Sequence, residues 1–222
     1  MRIRWLVYRA LLGASACCAL CVAPVAQADL IGTDFAKGSQ TFDVTAPTAT
    51  NVPTGAFTGT YNGHPIIFFC FELTQYFSFG VSYPGYSAVN PSNAQFDLLS
   101  RLFTEAFAHA LDSTQNSAAF QLAVWEILYD PSPTSLTSGA FHVTDDHGNS
   151  ATVTAATNLL NNLPATGTYT ITWLQSADNQ DFIFGTQTLR EAPEPSMLFL
   201  AGFGVAAMVL MLRRRINRQS IY

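Results

Sequence analysis

Apolar and polar residues alternate in short runs over residues 30–63, as in Thr41–Val44. This period of two is typical of β-strands joined by turns. Asn62-Gly63 favours a type I′ turn and therefore predicts a hairpin between strands near 55–61 and 65–73. Side chains of the second strand alternate between two faces, and the first of these is predicted to lie in the core. The first face contains Ile67, Phe69, Phe71 and Leu73, and the second contains Ile66, Phe68, Cys70 and Glu72.

Further along the chain, the apolar positions take on the period of α-helices. The residues at 92–95 have the spacing of a capping box, and apolar residues then recur every three or four positions, which predicts an amphipathic helix over about 93–111. A second amphipathic helix is predicted over 117–129, because Asp130-Pro131 would end it. The core face of the hairpin strand is expected to pack against these two helices.

The remaining segments complete a single domain. The aromatic segment 76–91 also contains Gly and Pro and predicts a loop, either one that carries recognition side chains or, as we prefer, one that covers the core. Residues 153–163 are consistent with a short helix, and residues 169–174 and 181–184 with closing strands. The predicted fold class over residues 29–185 is therefore α+β, an antiparallel β-sheet or barrel packed with two amphipathic helices.

The N-terminus has the pattern of an export signal. Basic residues precede the apolar run Ala10–Val25, and Ala26-Gln27-Ala28 supplies the small residues that signal peptidase requires. The sequence predicts a signal peptide over residues 1–28 and a mature chain that begins at Asp29.

The C-terminus has the pattern of a membrane anchor. Residues 196–212 contain no charged side chain and would rise about 25 Å as a helix, close to the thickness of a hydrocarbon core. The basic cluster Arg213, Arg214 and Arg215 follows, which predicts a transmembrane helix with its C-terminus in the cytoplasm. Residues 186–192 are assigned to a linker between domain and anchor.

Residues 193–218 resemble the PEP-CTERM sorting signal of Gram-negative bacteria. That signal consists of a Pro-Glu-Pro box, an apolar helix and a terminal basic cluster, and here Pro193, Glu194 and Pro195 form the box. The resemblance implies recognition by exosortase, a membrane-embedded cysteine peptidase. It also implies export through the inner membrane, a membrane-anchored precursor, and a final location at the cell surface or in the extracellular matrix. The alternative is a plain C-terminal anchor.

Charge and cysteine content restrict the exported domain further. Residues 29–192 contain only three Lys and Arg against fourteen Asp and Glu, so a nucleic-acid partner is not expected. Three of the four cysteines lie in the predicted signal peptide, which leaves Cys70 as the single cysteine of the mature chain. An odd cysteine in an oxidising compartment indicates an intermolecular bond or a reactive role.

Two short segments resemble the signature motifs of bacterial thioester domains, best known from Gram-positive surface adhesins. These are Phe69-Cys70 and Phe120–Trp125, although Phe120 stands where that family has Thr. The resemblance implies a bond between the sulfur of Cys70 and the side-chain carbonyl of Gln121, formed with loss of ammonia. Trp125 would shelter this thioester from water, and Glu72 is a candidate for proton transfer. The alternatives are a solvated Glu72 and a Cys70 that is only a small buried residue.

No other motif predicts a cofactor or a conventional enzyme. The residues His142, Asp145, Asp146 and His147 match no defensible metal-ligand spacing, and a polar loop is the favoured interpretation. The leading expectation is therefore a non-enzymatic surface protein that attaches covalently or non-covalently to surfaces or matrix, the covalent route being a Cys70–Gln121 thioester that acylates a partner amine. The alternative is a non-reactive structural protein of an exopolysaccharide-rich biofilm matrix.

Overall fold

The computed structural model describes residues 29–130, 132 and 135–188. These residues form three helices and ten strands, named here in chain order. The helices are α1 (Ala94–Ala110), α2 (Thr114–Tyr129) and α3 (Ser150–Asn161). The strands are β1 (Asp29–Phe35), β2 (Gln40–Val44), β3 (Ala49–Thr54), β4 (Phe57–Tyr61), β5 (His64–Cys70), β6 (Ser82–Pro84), β7 (Ser87–Val89), β8 (Val143–Asp145), β9 (Tyr169–Gln175) and β10 (Phe182–Gln187). The predicted mixture of an antiparallel sheet and helices is confirmed.

The strands form two antiparallel sheets. The larger sheet has the order β6-β1-β4-β5-β10-β9-β7, and the smaller has the order β3-β2-β8. The predicted hairpin joins β4 to β5, and both turn residues, Asn62 and Gly63, have the positive φ of a type I′ turn. Strand β10 extends to Gln187 and so occupies the first two residues of the segment assigned to a linker, 186–192.

Helix α1 is amphipathic as predicted. The Asn93 side chain accepts a hydrogen bond from the Phe96 N–H and caps the helix. The buried side chains recur at helical spacing and include Leu99 and Phe103. This apolar stripe faces α2 and β9.

Helix α2 is not amphipathic, so that part of the prediction is wrong. Every residue from Ser117 to Ile127 is buried. The reason is its position, since α2 contacts α1, α3 and strands β2, β3 and β5. Helix α3 is one of these neighbours and confirms the short helix predicted over 153–163, so the domain has a third helix beside the two amphipathic ones of the predicted fold class.

Both faces of β5 are buried near its C-terminal end. On the predicted core face, the ring of Phe69 contacts those of Phe103, Phe107 and Phe120, which confirms a single core between sheet and helices. On the other face, Phe68 is also fully buried. It packs against other rings, those of Phe57, Phe77 and Phe182. The aromatic segment 76–91 therefore covers the sheet, as preferred from the sequence.

No helix among the described residues is long and apolar enough to cross a membrane. The predicted signal peptide, the predicted transmembrane helix 196–212 and the sorting residues Pro193 to Arg215 lie outside the described residues.

Candidate functional site

The site is built around the last residue of β5, Cys70. Strand β4 pairs with β5 only as far as the partners Phe57 and Phe68, so the backbone of Cys70 has no neighbouring strand on that side. On its other side, Cys70 is opposite Phe182 of β10. At Cys70, strand β5 is therefore paired on one side only. Its unpaired side faces the buried helix α2.

Gln121 of α2 occupies the position that β4 leaves empty. The Cys70 N–H donates a hydrogen bond to Gln121 Oε1 at 2.8 Å, and Gln121 Nε2 donates to the Cys70 carbonyl at 2.9 Å. Gln121 is 1% exposed. The fold therefore brings together the two residues of the predicted crosslink, although 51 positions separate them.

The sulfur of Cys70 has its own polar contacts. The thiol donates to the backbone carbonyl of Glu72 at 2.7 Å, and Gln180 Nε2 donates to the sulfur at 2.7 Å. Burial raises the pKa of the Cys70 thiol far above its ordinary value, although N–H groups of Trp125 and Gln180 oppose this rise. The thiol is consequently neutral at physiological pH.

Trp125 lies one helical turn after Gln121 and is 1% exposed. Its indole N–H has no partner at full hydrogen-bond geometry among the described residues. This N–H therefore acts on the sulfur of Cys70 as a nearby dipole rather than as a hydrogen-bond donor. The predicted sheltering position of Trp125 agrees with this placement, whereas its sheltering role stays a prediction.

The carboxylate of Glu72 forms its hydrogen bonds with groups other than the Cys70 thiol. Its oxygens accept hydrogen bonds from the Thr74 hydroxyl and from the Asp181 N–H, both at 3.3 Å. Burial raises the pKa of Asp181, and the nearby Glu72 carboxylate raises it further, while bonds from the Ser176 N–H and the Trp173 indole lower it. Proton transfer by Glu72 stays a prediction, and the hydrogen bond that the thiol donates to this residue goes to its backbone carbonyl.

A cleft of about 480 Å³ opens onto this site. One wall is the hairpin segment 48–53, the other is the segment 73–79, and Cys70, Trp125 and Gln180 lie among the lining residues. The described residues that line it include no Lys, Arg, His, Asp or Glu. The cleft is thus an uncharged route from solvent to the sulfur, lined by aromatic, aliphatic and neutral polar side chains.

Sequence analysis missed Gln180. This residue lies in the polar turn between β9 and β10, 110 positions after Cys70. Turns rich in Ser, Asp and Asn are common, and no motif distinguishes this one. Only the pairing of β10 with β5 places the turn beside the sulfur.

The two histidines of the polar loop that was considered for metal binding have different partners. His142 bonds to Thr45, whereas His147 Nε2 lies 3.0 Å from Asp43 Oδ1. The possible metal-ligand atoms of Asp43, Asp145 and His147 lie within 4.8 Å of one another. Among the described residues, these three form the group that is close enough to share a metal ion. Their mutual hydrogen bond and partial exposure agree with the favoured interpretation as a polar loop.

Comparison with known proteins identifies the tail. Residues 191–215 match the family model of the PEP-CTERM protein-sorting motif, which includes the Pro193–Pro195 box and the basic cluster Arg213–Arg215. This motif indicates an exported substrate of exosortase with C-terminal anchoring or processing at the cell envelope. The match is confined to the tail and does not extend to the folded domain. No curated protein and no solved structure is significantly similar to the chain.

Proposed function

We propose that this exported, exosortase-sorted protein attaches covalently to an amine on a surface or matrix partner, through an internal thioester between Cys70 and Gln121. The observation that supports the proposal is the docking of the Gln121 carboxamide on Cys70 at 2.8 and 2.9 Å. A primary carboxamide is a poor acyl donor and must be held close to the sulfur, and these two bonds hold the carboxamide at the backbone of the residue that carries the sulfur.

Thioester formation is a balanced exchange between two side chains. The Cys70 sulfur bonds to the Gln121 side-chain carbonyl carbon, the bond from that carbon to Nε2 breaks, and nitrogen leaves as ammonia with the thiol proton. The Cys70 N–H already donates to Oε1 and would stabilise the negative charge on that oxygen in the tetrahedral intermediate. Burial of Cys70 and Gln121 would then protect the electrophile from hydrolysis.

A second candidate function is supported by the same hydrogen bonds. The Gln121 amide satisfies the backbone N–H and C=O of Cys70 in place of a strand, and buried backbone groups without partners are costly. The high pKa of the thiol also favours an unreactive cysteine. On this reading the chain is a non-reactive structural protein of an exopolysaccharide-rich biofilm matrix.

Intact-mass measurement separates the two candidates. Protein purified after export is expected to be lighter than its processed sequence by one ammonia, and to show no free thiol when it is denatured and alkylated immediately. Methylamine should add one methylamine to the protein and release the thiol. A matched control is Gln121→Glu, which keeps the side-chain length but has no ammonia to lose.

The result against the thioester would be equally clear. A wild-type chain with the full sequence mass and one alkylatable thiol refutes the reactive proposal and leaves the structural one. Cys70→Ala should have no mass deficit in either case, because it has no sulfur to acylate.

A further inference from the structure

The Gln180 carboxamide has a direct contact with the reacting sulfur. Its Nε2 lies 2.7 Å from Cys70 Sγ, whereas the carboxamide of Gln121 is hydrogen-bonded to the Cys70 backbone. Nε2 of Gln180 also donates to the Glu72 carbonyl at 3.0 Å, the same carbonyl that accepts the thiol hydrogen. The sulfur is thus held between one acceptor and one donor.

The turn that carries Gln180 is fixed by several hydrogen bonds. The buried Tyr86 hydroxyl donates to the Gln180 carbonyl at 2.6 Å. The Asp181 carboxylate accepts from the Ser176 N–H at 2.7 Å and closes the turn on itself. A donor held in this way needs little reorganisation when charge develops beside it.

A second N–H beside the sulfur, that of the Trp125 indole, lacks a hydrogen-bond acceptor in the part of the chain that the structure describes. Trp125 is 1% exposed, lines the cleft beside Cys70 and Gln180, and has an indole N–H without a partner at full hydrogen-bond geometry. An unpaired donor in a buried site costs free energy unless a group with negative charge or lone pairs uses it. Sulfur that carries charge during a reaction is such a group.

We propose that Gln180 is a further residue of the reactive site: its Nε2–H group binds the Cys70 sulfur and stabilises the negative charge that the sulfur gains when an amine opens the thioester. The indole of Trp125 assists as a second dipole. This inference rests on the proposed thioester, and it assigns a role to a residue outside both sequence motifs.

The step is balanced without any further reactant. The amine nitrogen bonds to the side-chain carbonyl carbon of Gln121, and the bond between that carbon and Cys70 Sγ breaks. The electron pair of the broken bond goes to sulfur, and the proton lost by the amine ends on sulfur. The products are a substituted amide at Gln121 and a Cys70 thiol that again accepts the hydrogen bond from Gln180.

The first arm of the test measures the rate at which methylamine opens the thioester in the full exported protein. Gln180→Met keeps the length of the side chain but has no N–H, and removal of one donor from an oxyanion site costs about 100-fold or more. Charge on sulfur is more diffuse, so we expect opening to slow by about tenfold. Gln180→Glu should slow it further, because it places a carboxylate beside the developing charge.

The second arm does not require a thioester. In a Gln121→Ala background Cys70 stays a thiol, and the mature chain has no other cysteine, so its S–H stretching band in the Raman spectrum has one source. Gln180→Met is expected to shift this band, because sulfur loses its hydrogen-bond donor and the Glu72 carbonyl that accepts the thiol hydrogen loses a competing donor. A merely structural role in the turn would leave the band in place.

A neighbouring amide provides the matched control. Asn179 belongs to the same turn, and its Nδ2 donates to Ser176 Oγ at 3.1 Å rather than to the sulfur. Asn179→Leu should leave both the opening rate and the S–H band unchanged while it perturbs the turn. If Asn179→Leu reproduces the effects of Gln180→Met, the turn and not the donor is responsible, and the inference is overturned.

The outcomes also distinguish this inference from the proposed function. An ammonia deficit together with wild-type opening rates in Gln180→Met overturns the role of Gln180 and leaves the thioester intact. The absence of any deficit overturns the thioester and with it the role in opening, whereas a shifted S–H band would still establish the bond to sulfur. Peptide mapping that finds the crosslink at Gln180 instead of Gln121 overturns the donor role, since Gln180 would then be the acyl partner.

Discussion

Replacement of Gln121 by Met tests whether the carboxamide completes the sheet edge at Cys70. The substitution keeps the length of the side chain but removes the acceptor for the Cys70 N–H and the donor to the Cys70 carbonyl. Each orphaned buried group costs about 1–3 kcal/mol, so the two together cost about 2–6 kcal/mol. Burial of the more apolar Met offsets about 1–2 kcal/mol, so the midpoints of the two ranges give a net loss of about 2.5 kcal/mol.

Chemical denaturation in a Cys70→Ala background measures this loss. The background removes any covalent bond to Gln121, while the hydrogen bonds in question belong to the backbone of residue 70 and are retained. For a domain of this size, each kcal/mol lowers Tm by about 2–4 °C, so a loss of about 2.5 kcal/mol lowers Tm by about 5–10 °C.

Gln121→Glu in the same background is the matched control. When the introduced Glu is ionised, its carboxylate cannot donate a hydrogen bond to the backbone carbonyl of residue 70. When it is protonated, its O–H can donate to that carbonyl as Gln121 Nε2 does. Burial would raise the pKa of this Glu above its unfolded value, so the variant should approach wild-type stability as pH falls and lose it as pH rises. A loss of less than about 0.5 kcal/mol for Gln121→Met would show that the amide does not complete the sheet, since one hydrogen bond contributes more than this.

Three further predictions concern the core, the polar loop and the tail. Phe103→Ala removes a ring that contacts Phe69 and should cost about 3–5 kcal/mol of unfolding free energy, and a loss near zero would refute the single core. The bond with Asp43 raises the pKa of His147, and the bond with His147 lowers that of Asp43. The pair therefore stabilises fully between the ordinary values of 3.8 and 6.5 and loses this effect above the raised His147 pKa and below the lowered Asp43 pKa. His147→Gln should reduce the loss of unfolding free energy on both sides of this window, above 6.5 and below 3.8, and identical pH profiles would contradict the linkage. Alanines at Pro193–Pro195 should block processing without preventing membrane insertion, and unchanged maturation on immunoblots would count against exosortase sorting.

The parts of the fold that sequence predicts well are those fixed by local physics. Asn62-Gly63 specifies its hairpin because both residues tolerate positive φ. The stripe of α1 is apparent because one face of that helix meets the core and the other meets solvent. The pairing of Cys70 with Gln121 was predicted from a motif resemblance. That prediction did not depend on the fold of the residues between them.

Helix α2 shows why the rest could not be predicted. Its Ser and Gln positions look like a polar face, yet they are buried and bonded to backbone groups elsewhere. Ser117 Oγ accepts from the Ala56 N–H at 2.7 Å, and Gln121 binds Cys70. Local periodicity does not distinguish a solvated polar residue from one that completes a distant strand. The same limit applies to Gln180, whose partner lies 110 positions earlier.

The position of β10 determines how the domain would respond to a pulling force. The chain continues from β10 toward the sorting tail, and β10 is an interior strand, paired with β9 along its whole length and with β5 beside Cys70. A tether that left from an edge strand could be peeled away one hydrogen bond at a time. A pull on this tail first loads the ladder with β9, and the pairs of Phe182 and Ile183 with β5 resist only after that. A partner amine bonded to Gln121 would pull on a helix whose residues from Ser117 to Ile127 are all buried, so the load would enter the domain through its core.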